Sequence, residues 1–511
     1  MYNRPIQGGH MKRTWRERMM NRFGLGMSRP LQQSDLIVPH WFTGKALVFF
    51  FVAMFACWGA FGHIPDFDLI IAACLLTVLF FYGSSSMSKS WCRLKGKAFV
   101  KNVFVAGLSV RLLWILYMYF VFNPARFGTT YGPSADIEWY MDFGEAIAQW
   151  VRNGFNGSFH GLRLFWKSAI DDVGYPLWLS IISLVTNGGS DVFVPFCVKS
   201  LVSAYCAVCI YHIANRHFGE GVARISAIFV ALNPNMIYWS GSMMKETEMV
   251  FVACLALDEL DKALSSGNKL TLKSLWPGML AGIYLFFFRS ALGLALFLAV
   301  LAHVVMASHR VMDTGKKIIV GILVLAITVF SLGDRLLEQS RSMYEDVQSG
   351  GQQKNMEWRS NRAGGNAFAR YAGAAVFAPL IFTIPFPTFN VANESQLIQM
   401  QLSGGSYIKN ILSFFVLIVM FLMLISGEWR RHVFILAYTL GYLAMLVFSS
   451  YAQSGRFHMP IMPMLLLFAA YGIQIAKVNG RIRKWFPIVL VIEVVACLAW
   501  GWFKLKGRGM I

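Results

Sequence analysis

The sequence predicts an all-α polytopic membrane protein, a bundle of about thirteen transmembrane helices with interfacial helices in two long outer loops. Three observations predict it. The 511 residues are 56% hydrophobic and 14% charged, with a mean hydropathy of +0.52, whereas a soluble globular domain carries about 25% charged residues. Apolar runs long enough for roughly 30 Å of hydrocarbon recur along most of the chain. The net charge of +20 is concentrated between alternate runs, as a topology signal would be.

The same composition excludes other classes. A disordered or nucleic-acid-binding basic chain would be polar, so no nucleic-acid partner is expected. The eight Cys sit mostly within apolar runs and show no metal or disulfide spacing.

In chain order, residues 1–40 are basic and polar, with seven Lys or Arg and no apolar core of signal type. They read as a cytoplasmic tail, with room for an amphipathic surface helix from Trp15 to Phe23. Two spans follow in 41–101, near 42–62 and 68–86. The main membrane domain, 102–476, contributes runs near 102–122, 193–214, 222–240, 247–263, 275–289, 290–307, 317–333, 408–427, 432–450 and 458–476. The last segment, 477–511, holds a run near 485–503 and a short tail. The stretch from Trp276 to Met306 is too long for one ordinary span. Arg289 interrupts it, so it divides into two short helices.

Lys and Arg placement sets the orientation. With the N-terminus in the cytoplasm, the inner segments hold 26 of the 46 basic residues but only 8 of the 26 acids. The parity of the spans agrees with that bias. The exception is the last helix, which ends outside with Lys504, Lys506 and Arg508. Two long outer segments remain, about 123–192 and 334–407. Each contains an apolar stretch too short to span, Gly174–Thr186 and Ala374–Ile384, which reads as an interfacial or re-entrant helix.

The chemistry-bearing residues collect at the outer boundary. In the first outer loop, helical spacing puts Asp136, Tyr140 and Phe143 on one face, and Glu138, Asp142 and Glu145 on another. This is either a solvated acidic helix or a carboxylate poised at the interface as a general base. Lys245 and Glu246 fall where one span ends and the next begins, and charges there need a partner or a task. The plain alternative is an interfacial anchor with a snorkelling Lys. Arg289 stands alone among apolar residues and is either a helix-turn residue snorkelling outward or a cation for an anionic headgroup or phosphate. Arg456 and His458, at the entry of a late span, are both able to donate to a phosphate, and His458 reads equally as a structural interfacial residue. The polar second loop carries Arg341, Lys354, Arg359, Arg362 and Arg370, and reads either as an acceptor-binding flap or as a solvated loop. No Walker, Rossmann, HExxH or paired CxxC motif occurs. No metal site is evident, although Asp136, Glu246 and His458 leave a divalent-metal arrangement open.

Four features in order resemble the C-type (GT-C) membrane glycosyltransferases, the group that includes protein O-mannosyltransferases and aminoarabinose transferases. They are Asp136-x-x-x-Tyr140 with Ala146 following; Gly174-Tyr175-Pro176-Leu177-Trp178-Leu179; the run from Ile213 to Gly219 through Leu232-Asn233-Pro234 to Lys245-Glu246; and Arg289 with Arg456-Phe457-His458-Met459-Pro460-Ile461-Met462-Pro463. The resemblance covers roughly 100–475. The chain departs from it in two extra N-terminal spans, in Lys245 where many relatives have Thr, and in Gly-Tyr-Pro where some branches have Pro-Pro.

The resemblance implies an inverting transferase in a bacterial inner (plasma) membrane. It implies a polyprenyl-phosphate-linked sugar as donor and a glycan, lipid or protein acceptor at the outer face. By motif it assigns Asp136 as general base, Glu246 as second acidic residue, and Lys245, Arg289, Arg456 and His458 to the donor phosphate. Tyr140 and Tyr175 support them. Two further readings stand beside it. A polysaccharide polymerase or ligase is favoured by the arginine-rich second loop. A lipid-linked sugar transporter would place charges at the midplane, where Arg111 and Glu493 are the main ones here.

Overall fold

The computed structural model describes residues 32–62, 66–132, 134–156, 172–186, 192–265, 272–306, 405–448 and 455–506. Among them the chain is helical and forms no strand. In chain order the helices are α1 (His40–Phe61), α2 (Phe67–Trp91), α3 (Gly96–Phe127), α4 (Ala135–Arg152), α5 (Gly174–Val185), α6 (Phe193–Phe218), α7 (Glu220–Leu232), α8 (Pro234–Ser240), α9 (Glu246–Ser265), α10 (Leu272–Phe286), α11 (Ser290–Met306), α12 (Gly405–Ser426), α13 (Val433–Phe448), α14 (Met462–Val478) and α15 (Gly480–Lys506).

Six described helices are long and apolar enough to cross a membrane. They span Gln33–Phe61, Phe67–Trp91, Gly96–Phe127, Phe193–Phe218, Ile408–Ser426 and Gly455–Val478. The chain is thus all-α and, by these helices, of the membrane-embedded kind. Eleven of the thirteen expected runs coincide with single helices. The run at 317–333, the loop at 334–407 with its arginines, and the Trp15–Phe23 segment lie outside the described residues. The split at Arg289 is observed: α10 ends at Phe286 and α11 begins at Ser290.

One expectation is corrected. The 222–240 run is two helices, because Asn233 and Pro234 interrupt it. The Asn233 side chain accepts a hydrogen bond from the Met236 amide at 3.2 Å, and Pro234 takes the first position of α8, where its missing N–H costs nothing. Hydropathy does not register the break, since the apolar residues continue across it.

The core is a contiguous cluster joining most helices. Phe42 of α1 packs edge-on against Phe81 of α2 at 5.7 Å and Phe415 of α12 at 5.6 Å. It also lies 5.9 Å from Phe486 of α15. Such aromatic pairs contribute about 0.5–1.5 kcal/mol each beyond the burial of their area. Arg111, fully buried in α3, donates to the Ser203 hydroxyl at 2.7 Å and to the carbonyls of Ala231 at 2.7 Å and Val230 at 3.2 Å. These carbonyls belong to the last turn of α7, which has no further helical N–H to bond. Arg111 is therefore a cap for the broken helix, and the break explains a charge that was unexplained in the sequence.

Described residues of the segments assigned to the inner side meet at one end of the bundle. Arg224 donates to the Leu94 carbonyl at 2.7 Å, and Lys477 to the Ser34 carbonyl at 3.0 Å. Arg216 pairs with Asp258 and Asp261 at 2.6 Å each. His217 bonds Asp261 at 2.7 Å, and its other ring nitrogen lies 2.8 Å from His432. At this end the Gln33–Leu36 turn packs on α7, and Asp35 within it is buried.

Candidate functional site

The opposite end of the bundle gathers the residues that the sequence nominated. α9 connects the two ends, with Glu246 in its first turn and Asp261 fifteen residues on, about 22 Å away at 1.5 Å per residue.

α4 presents Ile137, Tyr140, Phe143 and Ile147, all buried, at helical spacing. This apolar stripe packs on α5, as the amphipathic pattern requires. Asp136 is carried at the start of that stripe, in the first turn of α4, with its side chain 54% exposed. α5 starts where two chain segments touch. The Gly174 amide donates to the Phe287 carbonyl at 2.8 Å, and the Tyr284 hydroxyl donates to the Gly174 carbonyl at 2.8 Å. A Cβ at 174 would lie 2.9 Å from the Phe287 carbonyl carbon, so only glycine fits here. Tyr175 is thereby buried against Tyr140, ring edge to ring face at 5.2 Å.

The loop after α8 delivers Lys245 and Glu246. Glu246 is wholly buried. Arg456 joins it to Asp136: the guanidinium Nε donates to Glu246 Oε1, and Nη1 donates to Asp136 Oδ2 at 3.0 Å. Three elements distant in sequence thus converge on one cation. Among the described residues the second Glu246 oxygen has no hydrogen-bond partner, which is costly for a buried carboxylate.

Arg289 lies close by. Its guanidinium stacks over the Phe457 ring at 4.1 Å and donates to the Tyr442 hydroxyl at 3.3 Å. Tyr442 donates in turn to the Phe457 carbonyl at 2.9 Å. Among the described residues Arg289 pairs with no carboxylate, so a planar fork of donors is held in place by an aromatic face. Tyr140 lies within the field of this whole group. Burial first, then the Glu246 charge, raise its phenol pKa, against the opposing pull of Arg456 and Arg289. The hydroxyl stays protonated and is available as a donor.

The other two nominated cations are held differently. Lys245 pairs with Asp172 and donates to the Phe288 carbonyl at 2.9 Å, which ties it to the turn that carries Arg289. His458 is buried, with Nδ1 2.5 Å from the Lys409 ammonium of α12. The structure therefore brings Asp136, Tyr140, Glu246, Arg289 and Arg456 together, with Tyr175 and Lys245 just behind and His458 turned to Lys409. Among the described residues no group of three or more His, Cys, Asp and Glu is assembled as a metal site.

Sequence reasoning missed Tyr442, Lys409, Asp172 and the buried pair Lys199–Glu248, whose ammonium and carboxylate are 2.7 Å apart. Lys199 carried a usable signal, a lone charge inside an apolar run.

A clasp on the same surface fixes α4 on α5. Glu145 accepts from the Ser183 hydroxyl at 2.6 Å and from Arg152 at 2.9 Å. Burial alone would raise its pKa. Hydrogen bonds from Ser183, Arg152 and Gln149 outweigh this and hold it below the usual carboxylate value. A depressed carboxyl stabilises the fold above its unfolded pKa and ceases to do so as pH falls through the folded value. Protection of the α4 and α5 amides against hydrogen exchange, relative to the intrinsic rate at each pH, is therefore expected to fall below about pH 4. The Glu145→Gln variant should lack that acid step, and an identical pH profile in both proteins would remove the clasp.

Comparisons with protein-family models, with curated proteins and with solved structures give no match to this chain.

Proposed function

We propose that the chain is a membrane glycosyltransferase of the C-type kind. In this reading it moves a sugar from a polyprenyl-phosphate donor to an envelope acceptor at the outer face of a bacterial plasma membrane, within a bundle of about thirteen spans. The observation that carries the reading is the convergence of Asp136 and Glu246 on Arg456, with Arg289 alongside, at the end of the bundle opposite the basic segments.

The chemistry follows from the groups present. The acceptor hydroxyl attacks the anomeric carbon as the bond to the lipid phosphate breaks. Its proton passes to Asp136, the exposed carboxylate of the pair, and the bonding electrons leave with the phosphate. Such a leaving group departs as an anion and needs fixed cations rather than a strong acid. A guanidinium has five N–H donors. Glu246 and Asp136 engage two of them on Arg456 and so aim the remainder. Glu246 thereby acts by orienting Arg456, and Arg289 supplies the second cation. Attack from the side opposite the phosphate inverts the anomeric centre.

The test is transfer by the purified protein from a polyprenyl-phosphate sugar to an envelope extract, followed by mass spectrometry of the product. No product across the common hexose and pentose donors would overturn the reading. Arg289→Ala is expected to weaken polyprenyl-phosphate binding by about 10–100-fold, the equivalent of one charge-assisted contact. Titration by intrinsic tryptophan fluorescence measures this, and unchanged affinity would take Arg289 out of the phosphate site.

A further inference from the structure

Lys199 lies behind the site, on α6, with no exposed surface. Its ammonium donates to Glu248 Oε2 and to the Met244 carbonyl, both at 2.7 Å, and to the Tyr175 hydroxyl at 3.4 Å. It also stands 4.7 Å from the centre of the Tyr175 ring. One buried cation therefore touches three elements that carry the site.

The contacts bear on both carboxylates. Met244 precedes Glu246 by two residues, in the loop that starts α9. Glu248 follows it by two, which at 100° per residue puts Glu248 far around the helix from Glu246. The two acids face opposite ways: Glu246 toward Arg456, Glu248 toward Lys199. Holding both the Met244 carbonyl and Glu248 fixes the rotation of the first turn of α9, and with it the direction of Glu246. On the other side, Tyr175 packs on Tyr140, which lies one helical turn from Asp136. A helix anchored only by apolar contacts would be free to rotate by part of a residue. An ammonium with three directed acceptors removes that freedom.

We infer that Lys199 is a positioning residue, which through Glu248, the Met244 carbonyl and Tyr175 sets the mutual geometry of Glu246 and Asp136 without touching substrate. Its effect on rate rests on the transferase reading, whereas its effect on the geometry of 241–249 does not.

The experiment uses two variants of the full-length protein. Lys199→Met alone leaves Glu248 buried and unpaired, which threatens folding. The double variant Lys199→Met with Glu248→Leu removes both charges and keeps the volume. Two quantities are read in the double variant. Hydrogen exchange by mass spectrometry is expected to accelerate at least tenfold in 241–249 and to be unchanged at the basic end, in 213–224. With a polyprenyl-phosphate sugar donor, kcat is expected to fall about 100-fold, the loss that an ångström of misplacement produces, while donor KM stays within about threefold. Wild-type exchange in 241–249 would overturn the inference, as would wild-type kcat. A fall in kcat matched by a rise in KM would also overturn it, since it would place Lys199 in donor binding. If the wild type itself transfers no sugar, the proposed function fails, and the exchange result alone decides the role of Lys199.

Discussion

Asp136→Asn is expected to lower sugar transfer by about 10²–10⁴-fold, the contribution of one positioned base. The substitution keeps size, polarity and an oxygen able to accept from Arg456, and removes only the ability to take a proton. Little stability is at risk. The side chain is 54% exposed and its ion pair to Arg456 Nη1, at 3.0 Å, is of the exposed class worth about 0–1 kcal/mol. Placement in the first turn of α4 adds a helix-dipole contribution of about 0.3–1 kcal/mol. Initial rates, polyprenyl-phosphate affinity and thermal unfolding in detergent should therefore separate cleanly: a large fall in rate, an affinity near wild type and a melting temperature within a few degrees. Full activity would remove the base assignment. A collapse of all three quantities together would make Asp136 a structural residue.

Legibility in the sequence followed distance along the chain. Arg289 was readable because a charge amid more than ten apolar neighbours on each side is anomalous by itself, and the break between α10 and α11 falls at that residue. Asp136, Lys245 and Glu246 were readable as charges at helix starts, which is a local property. That Arg456 bridges Glu246 and Asp136 was not readable, because these pairs lie 210 and 320 residues apart and nothing local encodes their meeting. The same holds for Lys409 with His458, 49 residues apart, and for Lys199 with Glu248. Glu248 lies two residues from Glu246, and helix geometry sends it the other way, toward a partner 49 residues distant. The Asn233–Pro234 break failed for another reason. The capping signal was present, and the apolar stretches on both sides of it outweighed it.

The second large effect concerns Arg456. Replacing it with Ala strands Glu246, a carboxylate with no exposed surface whose second oxygen already lacks a partner among the described residues. Breaking a buried ion pair by removing one partner costs about 3–5 kcal/mol, because the remaining charge is uncompensated. Arg456→Ala is thus expected to melt far below wild type and to be inactive, an outcome that does not by itself distinguish a structural clamp from a phosphate ligand. The double variant Arg456→Leu with Glu246→Leu makes the distinction. Replacing a buried pair with apolar residues of similar volume is often neutral or stabilising, so its melting temperature is expected to return to within a few degrees of wild type. If Arg456 serves only to neutralise Glu246, activity should return as well. In the transferase reading it does not return, since the cation beside the departing phosphate is still missing, and losing one such donor costs about 10²–10³-fold in rate. Thermal unfolding and initial rates measured on the same two preparations decide between these outcomes, and an active, stable double variant would remove Arg456 from the donor site.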